Sequence, residues 1–320
     1  MLSMLYLFTG KGGVGKSTVS AATAVHFAKQ GKKTLLVSSD PAHSTDDVLQ
    51  HKVGFSESKI ADNLYALNIN AEAQAKEFMG KINDEVKRMM GSVPGFDPEM
   101  FMDMAGFPGM DEYFGMELIH RYMNDSSYEI IVFDTAPTGH TMKMLTAPDA
   151  IRSFILRILR MKTKIENIKG FLFRKKSETE KIVKELETVC ERIDEFKELL
   201  NSPQVSINLV SIPTEAGYQE CARTLKFLKT INIPVQHIVI NQIVPDFGEE
   251  VWNSISENPA AAMTHRQFSI QRPYLDRYRI LCQEATVRLV GITNVPFEPI
   301  GLENLTKFAT VLWAKKTGLI

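Results

Sequence analysis

The chain is short of cysteine, tryptophan and net charge, and each shortage removes a class of protein. It has three cysteines and two tryptophans in 320 residues, with a formal net charge of −1. Cys190, Cys221 and Cys282 make no CxxC pair and are odd in number, so neither a disulfide framework nor a zinc ribbon is indicated. Buried or inert thiols in a reducing cytosol fit that usage. With 37 basic and 38 acidic residues there is no global polybasic surface for nucleic acid. No run of about 18 apolar residues is present, and the N-terminus carries neither a basic leader nor a cleavage site. A cytoplasmic protein is expected. The 44% of apolar residues is enough for a sizeable core, and the length allows one large α/β domain or two domains.

The most informative stretch comes first. Leu5 to Thr9 is a short apolar run with the look of a buried strand. Gly10-Lys11-Gly12-Gly13-Val14-Gly15-Lys16-Ser17-Thr18 follows at once and satisfies GxxxxGK[ST], the phosphate-binding loop. Glycines without side chains let backbone N–H groups turn inward around the β- and γ-phosphates. Lys16 supplies a point charge, and Ser17 offers its hydroxyl to Mg²⁺. Ser17 to Lys29 reads as a helix whose N-terminus adds favourable potential for an anion. The same letters satisfy GxGxxG at Gly10, Gly12 and Gly15, and Asp40 stands where a ribose-binding acid would lie. Against a dinucleotide, Lys16-Ser17 has no task under a pyrophosphate bridge, and a second strand-end acid at Asp134 suits a nucleoside triphosphatase.

Further strands are predicted at Lys33–Ser38, Asn63–Ile69, Glu129–Asp134, Val205–Ile212, Val235–Asn241 and Val287–Ile292. Helices are predicted around Gln219–Lys229, Tyr274–Glu284 and Leu302–Lys315, and Asp40–Asp47 reads as a loop. Strands alternating with helices imply the α/β class, a doubly wound, mostly parallel sheet of the P-loop NTPase kind. Helical stretches interrupt it. The expected division is residues 1–70, 126–148 and 201–320 for the ATPase domain, and 71–125 and 149–200 for an inserted, methionine-rich helical subdomain.

Ligands in such a sheet lie at the carboxyl ends of the strands. Asp134, after four apolar residues, is placed to hold Mg²⁺ directly or through water. Asp40 could polarise an attacking water or simply cap the loop before Pro41. Lys11 has no phosphate-cradling task that Lys16 leaves unmet. A second cation can instead stabilise transition-state charge, and it can be supplied across a dimer interface.

KGGVGKST, DPAHS and DTAPTGHT together resemble the deviant-Walker-A ATPases, within them the branch of arsenite-pump ATPases and tail-anchored-protein targeting ATPases. The resemblance covers nearly the whole chain. It implies ATP and Mg²⁺ as cofactors, Lys11 as the signature lysine crossing a head-to-head dimer, and Asp40 as the water-activating switch residue. It further implies Ser17 as a Mg²⁺ ligand, Asp134 as the second switch acid, and Asn241, within Ile238–Gln242, as an adenine contact. Gln271-Arg272-Pro273-Tyr274-Leu275 and Val295-Pro296 through Phe308 match the C-terminal part more loosely. The eukaryotic targeting ATPases carry a zinc-binding CxxC where this chain reads Ala260-Ala261-Ala262-Met263-Thr264-His265-Arg266, so no zinc is expected. The arsenite enzymes are tandem duplications with metalloid-binding cysteines; here one P-loop is present and the cysteines fall elsewhere.

Eleven of the fifteen methionines lie between Met79 and Met144, a composition that suits an adaptable apolar groove or a loosely filled core. Phe101, Phe107 and Phe114 interleave with Met100, Met102, Met104, Met110 and Met116 around several glycines, which breaks a clean core helix. With the resemblance, this favours a client groove lined by those five methionines. Asp149 to Lys176 adds nine basic residues against two acids on an amphipathic pattern, either a solvated face or a surface for anionic lipid or a partner. The leading expectation is an ATP-hydrolysing targeting factor or chaperone. It would act as a nucleotide-dependent homodimer, bind transmembrane segments of client proteins and meet a membrane receptor, with no nucleic acid. A pump-driving arsenite ATPase and a positioning ATPase of the partitioning or division-site type are the alternatives.

Overall fold

The computed structural model describes residues 3–39, 44–70, 73–78, 80–81, 84, 110–125, 127–135, 152–153, 156, 176–254 and 258–313. Its centre is an eight-stranded sheet built from strongly apolar strands. In chain order these are β1 (Met4–Gly10), β2 (Thr34–Ser38), β3 (Ser58–Ala61), β4 (Leu64–Asn68), β5 (Ile130–Asp134), β6 (Val205–Ser211), β7 (His237–Ile243) and β8 (Arg288–Thr293). They lie in the order β3-β4-β2-β5-β1-β6-β7-β8. Every pairing is parallel except β3 with β4. Every residue of β2, β5 and β6 is buried, as expected of parallel strands covered on both faces.

Chain direction reverses about β1. From β1 the chain runs through helix α1 (Lys16–Lys29) to β2, on the β5 side of β1, whereas β6, β7 and β8 lie on the other side. That reversal opens a crevice at the carboxyl ends of the central strands. Helix α1 is alanine-rich and buried on nearly all sides, which suits a helix packed beneath further structure rather than facing water. It shares its core with α2 (Ser44–Leu49) and α8 (Gly301–Leu312) through Val19, Val25, Phe27, Val48, Leu49, Leu305 and Phe308.

Two stretches correct the reading of the sequence. The segment expected as loop through Asp47 becomes helical at Ser44, with Asp46 and Asp47 in its first turn, where acids favour a helix N-terminus. The helix expected from Tyr274 begins at Pro259, giving α7 (Pro259–Ala285), with Pro273 inside it. Asn258 caps it by accepting from Ala260 N and Ala261 N at 2.9 and 3.3 Å. Around Pro273 the helix is held from outside. The amide of Gln271 accepts from Val244 N at 2.8 Å and donates to Gln242 O at 3.1 Å, while Leu275 and Tyr278 are buried.

The chain divides into two compact units, Met1–Ile69 with Arg121–Thr138 and Leu200–Ile320, and Asn70–His120 with Gly139–Leu199. In the second unit, residues 73–78 are helical, and the Phe78 ring meets that of Phe114 edge-on at 5.8 Å. Phe114 belongs to α3 (Met110–Asp125). The second unit's other long helix is α4 (Lys176–Leu200), most of whose residues lie in it. Val189, Ile193, Phe196 and Leu200 form its buried stripe at helical spacing. The two remaining helices of the first unit are α5 (Glu215–Thr230) and α6 (Glu249–Ser254). Among the described residues no helix is long and apolar enough to cross a membrane.

Replacing Gln271 with Leu tests what holds α7 across Pro273. It would strand the Val244 N–H and the Gln242 carbonyl that Gln271 now satisfies. A loss of about 2–6 kcal/mol is expected, at roughly 1–3 kcal/mol for each of the two unsatisfied groups. Urea unfolding would read it as a fall in midpoint at unchanged slope; a midpoint equal to wild type would show that another contact holds the helix.

Candidate nucleotide site

The loop after β1 is shaped by what surrounds its glycines. A Cβ on Gly10 would run into the carbonyl of Val210 on the neighbouring strand β6. Gly13 and Gly15 take φ of +81° and +90°, the left-handed region that favours glycine. At Gly15 a Cβ would also strike the side-chain amide of Asn241. That amide donates to Val14 O at 3.0 Å, so a residue of β7 braces the loop from 227 positions away. Val14 is buried and pins the loop's middle, leaving Lys11, Gly12 and Gly13 exposed.

Helix α1 starts directly from Gly15, which supplies no side-chain cap; its carbonyl accepts the first helical bond, from Val19 N at 3.0 Å. The backbone donors of the first turn have no partners within the helix and open toward the loop, an arrangement that binds phosphate. Lys16, on that turn, is 6% exposed. Ser17 and Thr18 are half-buried beside it.

Two serines of this turn connect the loop to other strand ends. Ser17 Oγ lies 2.7 Å from Ser44 Oγ, at the start of α2. Ser20 donates to Lys16 O at 2.8 Å and lies 3.4 Å from Asp134 Oδ1. Asp134 is wholly buried at the end of β5, in register with Phe8 of β1 and Ser38 of β2. The next residue, Thr135, donates to Phe8 O through both its backbone N and its hydroxyl, at 3.1 and 3.0 Å. Ser39 N donates to Asp134 O at 3.0 Å, joining the ends of β2 and β5.

Of the residues expected at the site, the loop from Gly10 to Thr18, Asp134 and Asn241 are brought to one end of the sheet. Asn241 does so as a brace on the loop backbone, a role not read from the sequence. Asp40, Met100, Met102 and Met104 lie outside the described residues, as does most of the basic stretch from Asp149 to Lys176; Met110 lies in α3. Met116, expected in the groove, is 3% exposed beside the equally enclosed Tyr113 and Ile119, and the structure puts it in the core instead. Ser20, Ser44 and Thr135 were missed as connecting residues. Ser44 and Thr135 stand within the quoted motifs, but their partners are 27 and 127 positions away.

The oxygen set suits Mg²⁺, a hard cation that takes few protein ligands and keeps phosphate oxygens and waters. Ser17 would contact it and the Asp134 carboxylate would face it. Among the described residues no cluster of three or more His, Cys, Asp or Glu is placed to hold a metal.

A glycine loop between β1 and a buried helix, with a strand-end acid alongside, is the arrangement of the P-loop nucleoside triphosphatase fold. Residues 4–314 match the family of anion-transporting ATPases, and the chain belongs to it. It is 30% identical over 270 residues to a putative arsenical pump-driving ATPase of Prosthecochloris vibrioformis, covering 78% of this chain and 64% of that protein. It is 32% identical to the ATPase GET3C of Arabidopsis thaliana, covering 75% of this chain and 67% of the relative. A third relative, the ATPase get3 of Pyrenophora tritici-repentis, is 28% identical, with 95% and 89% covered. The chain thus spans just under two thirds of the length of the first of these relatives.

The brace at Asn241 makes a two-step prediction for nucleotide binding. Gly15→Ala should abolish it, because the new Cβ meets Asn241 and the backbone is left-handed there. Adding Asn241→Ala removes the collision but leaves the backbone cost, about 1–2 kcal/mol, and a loop without its brace. Partial recovery is therefore expected in anisotropy titrations with a fluorescent ATP analogue. No recovery at all would mean that the amide contact is not what excludes a side chain at Gly15.

Proposed function

We propose that the chain hydrolyses ATP with Mg²⁺ and uses the cycle to capture and release apolar transmembrane segments, as a targeting factor or chaperone in the cytoplasm. The observation that carries the hydrolytic part is the joining of the loop, Ser17 and Asp134 at one strand edge. Lys16 and the first turn of α1 would hold the phosphates. Lys11, exposed on the loop, would reach the γ-phosphate of a second copy in a nucleotide-dependent homodimer. Asp40 would orient the attacking water, and Asn241 would border the adenine while bracing Val14.

The client-binding part rests on the resemblance and on the methionine-rich insertion. Met100, Met102, Met104 and Met110 are its candidate lining. Met116 would contribute only if its packing opened. A membrane receptor would accept the loaded dimer. Membership of an ATPase family supports the hydrolysis, and the relatives are named both as arsenical pump-driving ATPases and as GET3 ATPases.

Lys11→Ala and Asp40→Asn should each abolish steady-state hydrolysis while leaving ATP binding measurable, since neither builds the phosphate cradle. Lys16→Ala should lose both. Activity within about twofold of wild type, below ~0.5 kcal/mol of transition-state stabilisation, would remove Lys11 or Asp40 from the mechanism.

Replacing Met100, Met102 and Met104 together with Gln tests the cargo. If they line a groove, capture of a helical transmembrane peptide should fall more than tenfold while melting temperature and basal hydrolysis stay near wild type. Burial of each such side chain is worth roughly 1.5–3 kcal/mol. A collapse in stability with normal capture by the remaining folded protein would return them to the core.

A further inference from the structure

The contact between Ser17 and Ser44 joins two helices of different origin through two hydroxyls, 2.7 Å apart and partly buried. A serine hydroxyl has one proton to give and two lone pairs to offer. In this contact either hydroxyl can donate. Ser17 would lose that symmetry on holding a divalent cation, because one of its oxygen lone pairs would be occupied and its proton would become the better donor. The proton must then go to an acceptor, and Ser44 Oγ already stands at hydrogen-bonding distance.

Beyond Ser44 the chain is held firmly. Thr45, Val48 and Leu49 of α2 are buried. The Asp46 carboxylate accepts from Asn68 Nδ2 at 2.9 Å and from Val53 N at 3.3 Å. Asn68 also donates to Val53 O at 3.1 Å and sits opposite Ser38 at the end of β4. A pull on Ser44 is thus delivered to a network running from α2 to Val53 and the end of β4, not lost in a loose loop.

We propose that Ser44 is a positioning residue for the metal: it would accept a hydrogen bond from the Ser17 hydroxyl when Mg²⁺ binds and so couple metal occupancy to α2 and residues 46–53. This rests on the reading of Ser17 as a Mg²⁺ ligand. Ser44 does not touch the metal; it acts by fixing the orientation of a hydroxyl that does. Partners that orient a metal ligand in this way commonly govern affinity by 10–100-fold when removed.

The test titrates Mg²⁺ into protein carrying a fluorescent ADP analogue, following binding rather than turnover. Ser44→Ala should raise the half-saturating Mg²⁺ concentration about tenfold and leave affinity for the analogue in EDTA within about twofold of wild type. Ser44→Thr, which keeps the hydroxyl, should restore most of the loss. Ser44→Cys, close in size but a poor acceptor, should behave like alanine and serves if alanine disturbs folding. Hydrogen exchange should show Mg²⁺-dependent protection of the amides of residues 46–53 in wild type and not in the alanine variant. Wild-type Mg²⁺ dependence and protection in Ser44→Ala or Ser44→Cys would overturn the proposal and reduce Ser44 to a packing residue. Ser17→Ala separates the premise: if it too keeps wild-type Mg²⁺ dependence, the metal is held elsewhere, and the reading of Ser17 fails along with its consequence.

Discussion

The site depends on one close approach, that of the Asn241 side chain to the backbone of Val14 and Gly15. A phosphate loop must turn its N–H groups inward, which points carbonyls outward toward protein that has to accommodate them. The carbonyl of Val14 is buried and takes the Asn241 amide at 3.0 Å. Leaving such an acceptor unpaired would cost about 1–3 kcal/mol, a large share of a stability that is only ~5–15 kcal/mol for a domain. Because the amide occupies the space where a Cβ of residue 15 would stand, the same contact enforces glycine there. The loop is therefore local in sequence but not in stability. It is completed only when β7 has joined the sheet beyond β6, and helix α7 then fixes the far end of β7 through Gln271.

Around that loop the connections are made by hydroxyls and backbone more than by ion pairs. Ion pairs such as Lys307 with Glu303 and Lys81 with Glu77 lie on exposed side chains, where each is worth at most about 1 kcal/mol. At the site, Ser17, Ser20, Ser44 and Thr135 tie the ends of β1, β2 and β5 to the first turn of α1. This has a chemical logic. A site that must accept both a polyphosphate and a divalent cation gains from partners that can exchange donor and acceptor roles, because neutral hydroxyls adapt to either charge without the desolvation cost of a fixed ion. The buried Asp134 is the exception, a carboxyl group held at the strand edge where it would face a cation.

How far the sequence could be read follows from the same physics. β2, β5 and β6 are fully buried, so their apolar runs are continuous and legible. β3 is an antiparallel edge strand of four residues, none of them fully buried, and no run marks it. Helix α2 was hidden by its polar composition, although acids in its first turn were the available signal. Asn258 followed by Pro259 is a start signal for α7, and Pro273, a residue that disfavours a helix interior, hides the helix's continuity. The phosphate loop was legible because its chemistry is contiguous. Asn241 was legible only as a residue of the right segment, since what it does for Val14 requires knowing that β7 lies two strands from β1. The hydroxyl pair at Ser17 and Ser44 was not legible, because neither residue carries a mark of its partner.

The thiols bear on whether the chain could bind a soft metalloid. A soft metalloid or metal is captured by thiolate, so a capture site needs cysteines that are accessible and easily deprotonated. All three here are buried. Burial pushes the Cys282 thiol up to about 11. Burial pushes the Cys221 thiol further up, with the neighbouring Cys282 adding to the effect. At neutral pH a thiol of that kind is ionised only about one part in ten thousand, against a few per cent for an exposed one. Opening the core around Cys221 and Cys282 would be needed before either could act as a ligand, and both lie on helices, α5 and α7, whose buried faces help to hold the sheet. The present arrangement therefore offers no ready arsenite ligand from Cys221 or Cys282.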